Sequence, residues 1–191
     1  TSNDPNDQDY WRRLSQGTFA SVNFSSSELP LAHTATGGIL AVAEGSGIFN
    51  IGPTSINSIY GKTCFLACFE NGSIKWSTII ERPPDDFCVA GITEADADGN
   101  HLINTQSNIY KYSESGNLVW KRPLPVKDYT NHISSFEDGS AILSGIITDN
   151  LTGYDFGTGN IIFGDYSKNS LYGTSYIAKI SSNGQFEWAK K

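Results

Sequence analysis

Three times along this chain a glycine stands four residues ahead of a tryptophan: Gly72 and Trp76, Gly116 and Trp120, Gly184 and Trp188. The residues before each glycine are turn formers: Glu70-Asn71, Ser113-Glu114-Ser115 and Ser181-Ser182-Asn183. Glycine supplies the positive φ that a tight hairpin needs. The flanks are apolar or alternating, as strands are. Each signature therefore reads as a β-hairpin that closes on a tryptophan. A large aromatic that recurs once per repeat is packing between neighbouring sheets rather than a ligand platform.

An upstream signature recurs as well, at Gly37, Gly99 and Gly139, each in a turn that leads into a short apolar strand. Strands are expected before these turns at 31–35, 88–94 and 131–136. From each tryptophan to the next upstream glycine the distance is 23 residues (76 to 99) and then 19 (120 to 139). From upstream glycine to tryptophan within a copy it is 39, 21 and 49. The connection between copies is nearly constant, and the middle of the copy takes inserts. The second copy is minimal, with strands expected near 88–94, 100–105, 108–113 and 117–124. Four short antiparallel strands in about 40 residues match the size of one propeller blade. The expected fold is all-β: antiparallel four-stranded repeats, β-propeller-like, with about three blades at 27–83, 84–126 and 127–191, within residues 17–191. Residues 1–16 are polar and read as a linker or arm.

Composition agrees. Hydrophobic residues make up 38%, and Gly counts 19. No stretch shows the 3.6-residue spacing of an amphipathic helix. The net charge is −7, and the basic clusters Arg12-Arg13, Lys121-Arg122 and Lys190-Lys191 are too small for a nucleic-acid or anionic-membrane face. No apolar run approaches the ~20 residues of a membrane span, and no signal-peptide pattern opens the sequence. Nucleic acid and membrane insertion are excluded as partners. Cys64 and Cys68 lie in one predicted strand, roughly 13 Å apart at strand rise, too far to bridge each other. Buried free thiols are the preferred reading, with a pairing of either to Cys88 as the alternative.

The hairpin signatures resemble the quinoprotein-like propeller repeats, in which a small residue, a turn, a Gly and a Trp recur in each blade. The third copy also resembles the bacterial surface repeats called SBBP or beta-propeller repeats. The residues that carry this are Ile161-Ile162-Phe163-Gly164, Ile177-Ala178-Lys179, Asn183-Gly184 and Trp188-Ala189-Lys190. The first copy matches more weakly, with Phe49-Asn50-Ile51-Gly52 ahead of Phe65-Leu66-Ala67. The resemblance spans about residues 31–191. It implies architecture rather than activity, because such repeats occur in adhesins, scaffolds and enzymes alike. A closed propeller takes four to eight blades. Three copies therefore suggest either a portion of a longer repeat protein or a chain that closes by self-association.

Chemistry is sparse. Asp96-Ala97-Asp98-Gly99-Asn100 places oxygen ligands at alternate positions, as calcium loops do. The twelfth position, where an EF-hand needs Glu, is Ser107, so an ordinary Asp-Gly turn is the stronger reading. Asp96, Asp98 and Asn100 stand as the candidate metal ligands, calcium as the one conceivable ion, and no cofactor is predicted. His33, His101 and His132 are scattered over the copies and do not make a metal pair. No Gly-x-Ser-x-Gly elbow or phosphate loop is present. The insert of the third copy, 150–173, gathers Tyr154, Phe156, Phe163, Tyr166 and Tyr172 among polar residues. Aromatics so placed stack on sugars or anchor proteins. The competing reading is an extra hairpin whose rings pack on the blade.

These features lead to an expectation of a non-catalytic, extracellular or cell-surface module that binds protein or carbohydrate or serves as a scaffold. The resemblance keeps two alternatives open: part of a quinoprotein-type dehydrogenase, whose axial cofactor and cation would need more blades, and a self-associating structural subunit of a filament or particle.

Overall fold

The structure is a computed structural model that describes residues 15–22, 31–81, 91–125, 129–147, 153–159, 161–163 and 173–191. Among these residues every regular element is a strand, and all pairings are antiparallel. The strands are β1 (Ser15–Val22), β2 (Leu31–His33), β3 (Ile39–Ile51), β4 (Thr54–Glu70), β5 (Ser73–Ile79), β6 (Gly91–Ile92), β7 (His101–Asn104) and β8 (Asn108–Tyr112). They continue as β9 (Leu118–Pro123), β10 (Tyr129–Ser135), β11 (Ala141–Ile147), β12 (Gly153–Asp155), β13 (Ile161–Phe163), β14 (Thr174–Ile180) and β15 (Phe186–Lys190). The chain divides into two compact units: residues 1–89 with 114–117, and residues 90–113 with 118–191.

The first unit holds a five-stranded sheet, β1-β3-β4-β5 with β2 also paired to β3. Its central hairpin is much longer than the sequence pattern suggests. β3 and β4 pair from Ile39↔Phe69 to Gly45↔Thr63, then the register jumps to Gly47↔Ser58 and runs on to Ile51↔Thr54. β2 covers the near half of β3 and β1 the far half. Ser15 and Gln16, expected in the N-terminal arm, are already ladder residues of β1, opposite Ile51 and Asn50.

The tip of this hairpin returns onto β5. Thr54 Oγ1 donates to the Ser77 carbonyl over 2.6 Å, and the Ser77 hydroxyl donates to the Ile51 carbonyl. Ile51 and Ile56 thereby join Ala41, Ala43, Phe65, Ala67 and Phe69 in one core. Burying each of those two isoleucines contributes about 1.5–3 kcal/mol. The insert of the first copy is thus a cover for its own sheet.

The second unit holds two four-stranded sheets, β6-β7-β8-β9 and β10-β11-β14-β15, and the two-stranded β12-β13. These bounds lie close to the expected ones: β7, β8 and β9 fall within 100–105, 108–113 and 117–124. Leu102, Ile109 and Leu124 pack with Ala141, Leu143 and Ile180 into a core shared by both four-stranded sheets. β11 shows the alternating burial of a strand with one apolar face, while β7 and β8 are buried along their whole length.

One register feature recurs in all three hairpins. Trp76 stands opposite Cys68, Trp120 opposite Lys111, and Trp188 opposite Lys179, and a bulge follows each pair. A bulge sharpens the local twist of the strand it interrupts.

Candidate functional site

The upstream glycines build one turn again and again. In Thr34–Gly38, Asp96–Asn100 and Phe136–Ser140 the first N–H donates to the fifth carbonyl, and the fourth N–H, always Gly, donates to the first carbonyl. Ser181–Gln185 has the same two bonds, at 2.8 and 2.9 Å. The fourth residue sits at φ between 76° and 83° in all four (Gly37, Gly99, Gly139, Gly184). That is the left-handed region, open to Gly at no steric cost. A side-chain oxygen completes each turn: Thr34 Oγ1 accepts from Gly38 N–H, Asp96 Oδ1 from Asn100 N–H, Asp138 Oδ1 from Ser140 N–H and Ser181 Oγ from Gln185 N–H. Such side-chain mimicry of the backbone is why Ser, Thr, Asn and Asp crowd these positions.

Asp96 does more than close its turn. Its Oδ1 accepts from the N–H groups of Asp98 and Asn100 and from the Asn100 side-chain amide. Its Oδ2 lies 2.8 Å from Lys111 Nζ, with the two side chains 4% and 6% exposed. Burial pushes the Asp96 carboxyl up, but the hydrogen bonds from Lys111 and Asn100 outweigh it and hold the group below its ordinary value. Of the three candidate calcium ligands, Asp96 and Asn100 thus bring their side chains together and Asp98 gives its backbone N–H, while the charge that Asp96 meets is the Lys111 ammonium. Asp and Asn are suited to either arrangement, because both are short side chains with acceptor oxygens.

Gly139 closes the far side of this pair. A Cβ there would come within 2.7 Å of both Asp96 Oδ2 and Lys111 Nζ. The two turns are also tied directly: Ala97 N–H donates to the Glu137 carbonyl over 3.0 Å, and Ser135 Oγ to the Glu94 carbonyl over 3.1 Å.

Trp76 and Trp120 have a definite task. In the second unit Trp120 Nε1 donates to the Ser182 carbonyl over 3.0 Å, and a Cβ on Gly184 would stand 3.0 Å from the indole ring. Arg122 Nε donates to the Gly184 carbonyl over 3.0 Å. In the first unit Trp76 Nε1 donates to the Glu114 carbonyl over 2.8 Å, and a Cβ on Gly116 would stand 2.5 Å from the ring. In both cases the acceptor lies two residues before the glycine. The indole lies against a turn that only glycine leaves bare enough to approach.

The third-copy aromatics divide. Phe156 is 4% exposed and packs edge-on to Phe186 at 5.1 Å and tilted to Tyr176 at 5.5 Å. Tyr154 is half-buried against the same cluster, with Ile147, Ile162, Ala178 and Ala189. Phe163 is in β13, paired with Gly153, and its side chain lies outside the described residues, as do Tyr166 and Tyr172. Phe156 is therefore core, and its neighbour Asp155 turns the chain by accepting from Gly157 N–H over 2.7 Å.

Among the other groups, His33 and His132 are exposed, while His101 is buried with Nδ1 donating to the Thr93 carbonyl over 3.0 Å. Cys68 is a free, buried thiol that burial pushes above its ordinary value. Cys64 is disulfide-bonded, which corrects the free-thiol expectation for that residue. Strand burial favours neither state, and only a tertiary approach of a second sulfur decides it. Cys88 lies outside the described residues. Among the described residues no three His, Cys, Asp or Glu form a group that could hold a metal ion.

No family model matches the sequence, and no curated protein matches it. A solved structure from Bacteroides caccae, described as a protein of unknown function, aligns over 86% of this chain and 82% of its own, with 13% identity and a TM-score of 0.32.

Proposed function

We propose that this chain is a non-catalytic binding or scaffolding module of β-propeller-type blades that works outside the cytoplasm. The observation that supports it most is the twice-built junction of a tryptophan on a glycine turn, at Trp76 on Gly116 and Trp120 on Gly184. Each junction seats the tryptophan of one hairpin on the turn of the next hairpin in sequence. Stacked repeats gain their stability in this way, by burying faces that one sheet cannot bury alone. Lys111, the ladder partner of Trp120, is paired with Asp96. The disulfide at Cys64 supports an oxidising compartment, where such bonds persist.

The test is a paired assay on the purified chain. It is offered to an array of glycans and surface proteins, and in parallel to alcohol and sugar substrates with added quinone and calcium. Saturable binding with no turnover is expected. Substrate oxidation dependent on quinone would replace the scaffold reading with the dehydrogenase one.

A further inference from the structure

Four steps in the sequence put Asn or Asp directly before Gly: Asn71-Gly72, Asp98-Gly99, Asp138-Gly139 and Asn183-Gly184. At such a step the backbone nitrogen of the glycine can attack the side-chain carbonyl carbon before it, and glycine has no Cβ to hinder the approach. Three of the four steps are sealed. Gly99, Gly139 and Gly184 are buried, and their N–H groups donate to the carbonyls of Asp96, Phe136 and Ser181 over 2.9, 3.0 and 2.9 Å. The Asn183 side chain is held too, its Oδ1 accepting from the Ser181 hydroxyl and from Gln185 N–H.

The turn of the first hairpin is built differently. Glu70 and Ser73 face each other in the ladder, so Asn71 and Gly72 alone make the turn, at φ of 52° and 75°. Positive φ at both central residues is the type I′ arrangement. A β-turn bonds the carbonyl of its first residue to the N–H of its fourth and makes no use of the third N–H. Asn71 and Gly72 are both exposed, and a Cβ on Gly72 would meet nothing within 4 Å. Among the described residues neither the Gly72 N–H nor the Asn71 side-chain amide has a hydrogen-bond partner.

We infer that Asn71 is a site of spontaneous deamidation, with the Gly72 nitrogen as nucleophile and water as the second reactant, and that the five-residue turns protect the other three steps. The Gly72 nitrogen bonds to Asn71 Cγ, the bond from Cγ to the side-chain nitrogen breaks, and that nitrogen leaves as ammonia with the proton Gly72 has lost. The product is a cyclic imide. Water then opens it at one of its two carbonyls, which leaves an aspartate or an isoaspartate whose main chain runs through the side-chain carbon. No atom is oxidised or reduced. An isoaspartate lengthens the main chain in a turn that has only two residues between paired strands, and the next pair of that ladder is Phe69↔Ile74. Phe69 belongs to the core of the first unit, so the lesion loosens the end of the β4–β5 hairpin. Either product also adds a negative charge beside Glu70, whose carboxylate is paired with Lys75 over 3.2 Å.

The experiment is incubation of the native 191-residue chain at mildly alkaline pH below its melting temperature, beside the same chain in urea. Peptide mapping by mass spectrometry follows each Asn, and an isoaspartyl methyltransferase assay on the separated peptides locates isoaspartate. In the native chain Asn71 is expected to convert at least about tenfold faster than Asn183, the factor that about 1.4 kcal/mol of turn-opening cost produces. Isoaspartate is expected from Asn71 and not from Asp98 or Asp138. In urea the turn bonds are lost, and the two Asn-Gly steps should react at similar rates. The Asn71 rate should rise with pH, because the deprotonated nitrogen is the attacking form. Asn183 reacting as fast as Asn71 in the native chain overturns the proposal. So does a difference that persists unchanged in urea, since neighbouring residues and not the turns would then set the rates. A native Asn71 that stays intact while urea releases it, or a rate that does not rise with pH, overturns it as well.

Discussion

The indole of Trp120 donates its N–H to the carbonyl of Ser182 over 3.0 Å, a bond between residues 62 positions apart in sequence. The ring lies against Gly184, so one side chain supplies both a directional bond and apolar cover. Replacing Trp120 with Phe should lower stability by about 1 kcal/mol, the net value of one hydrogen bond. Replacing it with Ala should cost about 3 kcal/mol, at the lower end of such truncations because the ring is only half-buried. Urea denaturation of both variants measures the two contributions separately.

Lys111 and Asp96 form an ion pair with almost no solvent contact. Removing one partner strands the other in a low-dielectric site, which costs about 3–5 kcal/mol. Lys111→Met should therefore be strongly destabilising. The double variant with Asp96→Asn should be less destabilised than Lys111→Met alone, since no buried charge is left behind. A double-mutant cycle reads the coupling directly, and purely additive losses would contradict it.

The same pair sets a pH dependence. Asp96 is held below its ordinary value of 3.8 in the folded chain. The unfolded chain binds the proton at higher pH than the folded one, so the contribution is complete above about pH 4 and fades as pH falls below it. Denaturation midpoints followed from pH 6 downward should drop for the wild type in that window. Asp96→Asn should flatten the drop.

Gly139 and Gly37 have nearly the same φ, 76° and 83°, in the same kind of turn. Gly37 has open space where a Cβ would go, whereas Gly139 faces Asp96 and Lys111 at 2.7 Å. Gly37→Ala should cost about 1–2 kcal/mol, the left-handed penalty of an L-residue. Gly139→Ala should cost that and about 1–3 kcal/mol more, the scale of overpacking a filled site. Equal losses in the two melting curves would show that the ion pair moves aside freely.

Much of the local structure could be read from the residues. Gly four ahead of Trp, with Ser, Asn and Glu before it, dictates a hairpin because few residues accept a positive φ and few side chains mimic the backbone of a turn. The strands around it follow from apolar alternation, and the boundaries of β7 to β9 fall within the expected spans. The longer first hairpin was harder to read. Gly45, Gly47 and the polar residues of 54–63 weaken the strand pattern, yet β3 and β4 continue because their far half is paired with β1 and folded onto β5.

The site residues separate along the same line. That Asp96, Asp98 and Asn100 would share a turn follows from their spacing, and their residue types suit a cation. Which cation was beyond reach of the local pattern, because Lys111 arrives from a different strand, β8. Phe156 likewise belongs to an aromatic-rich segment at the level of sequence, and only its contact with Tyr176 and Phe186 makes it core. The sequence by itself determined the turns, the strand periodicity and the recurrence of Trp, since these depend on φ, pleat and residue size over a few neighbours. Tertiary structure alone decided what Trp76 and Trp120 cover, what neutralises Asp96 and whether Cys64 is oxidised. Those outcomes depend on groups distant in sequence meeting within a few ångströms.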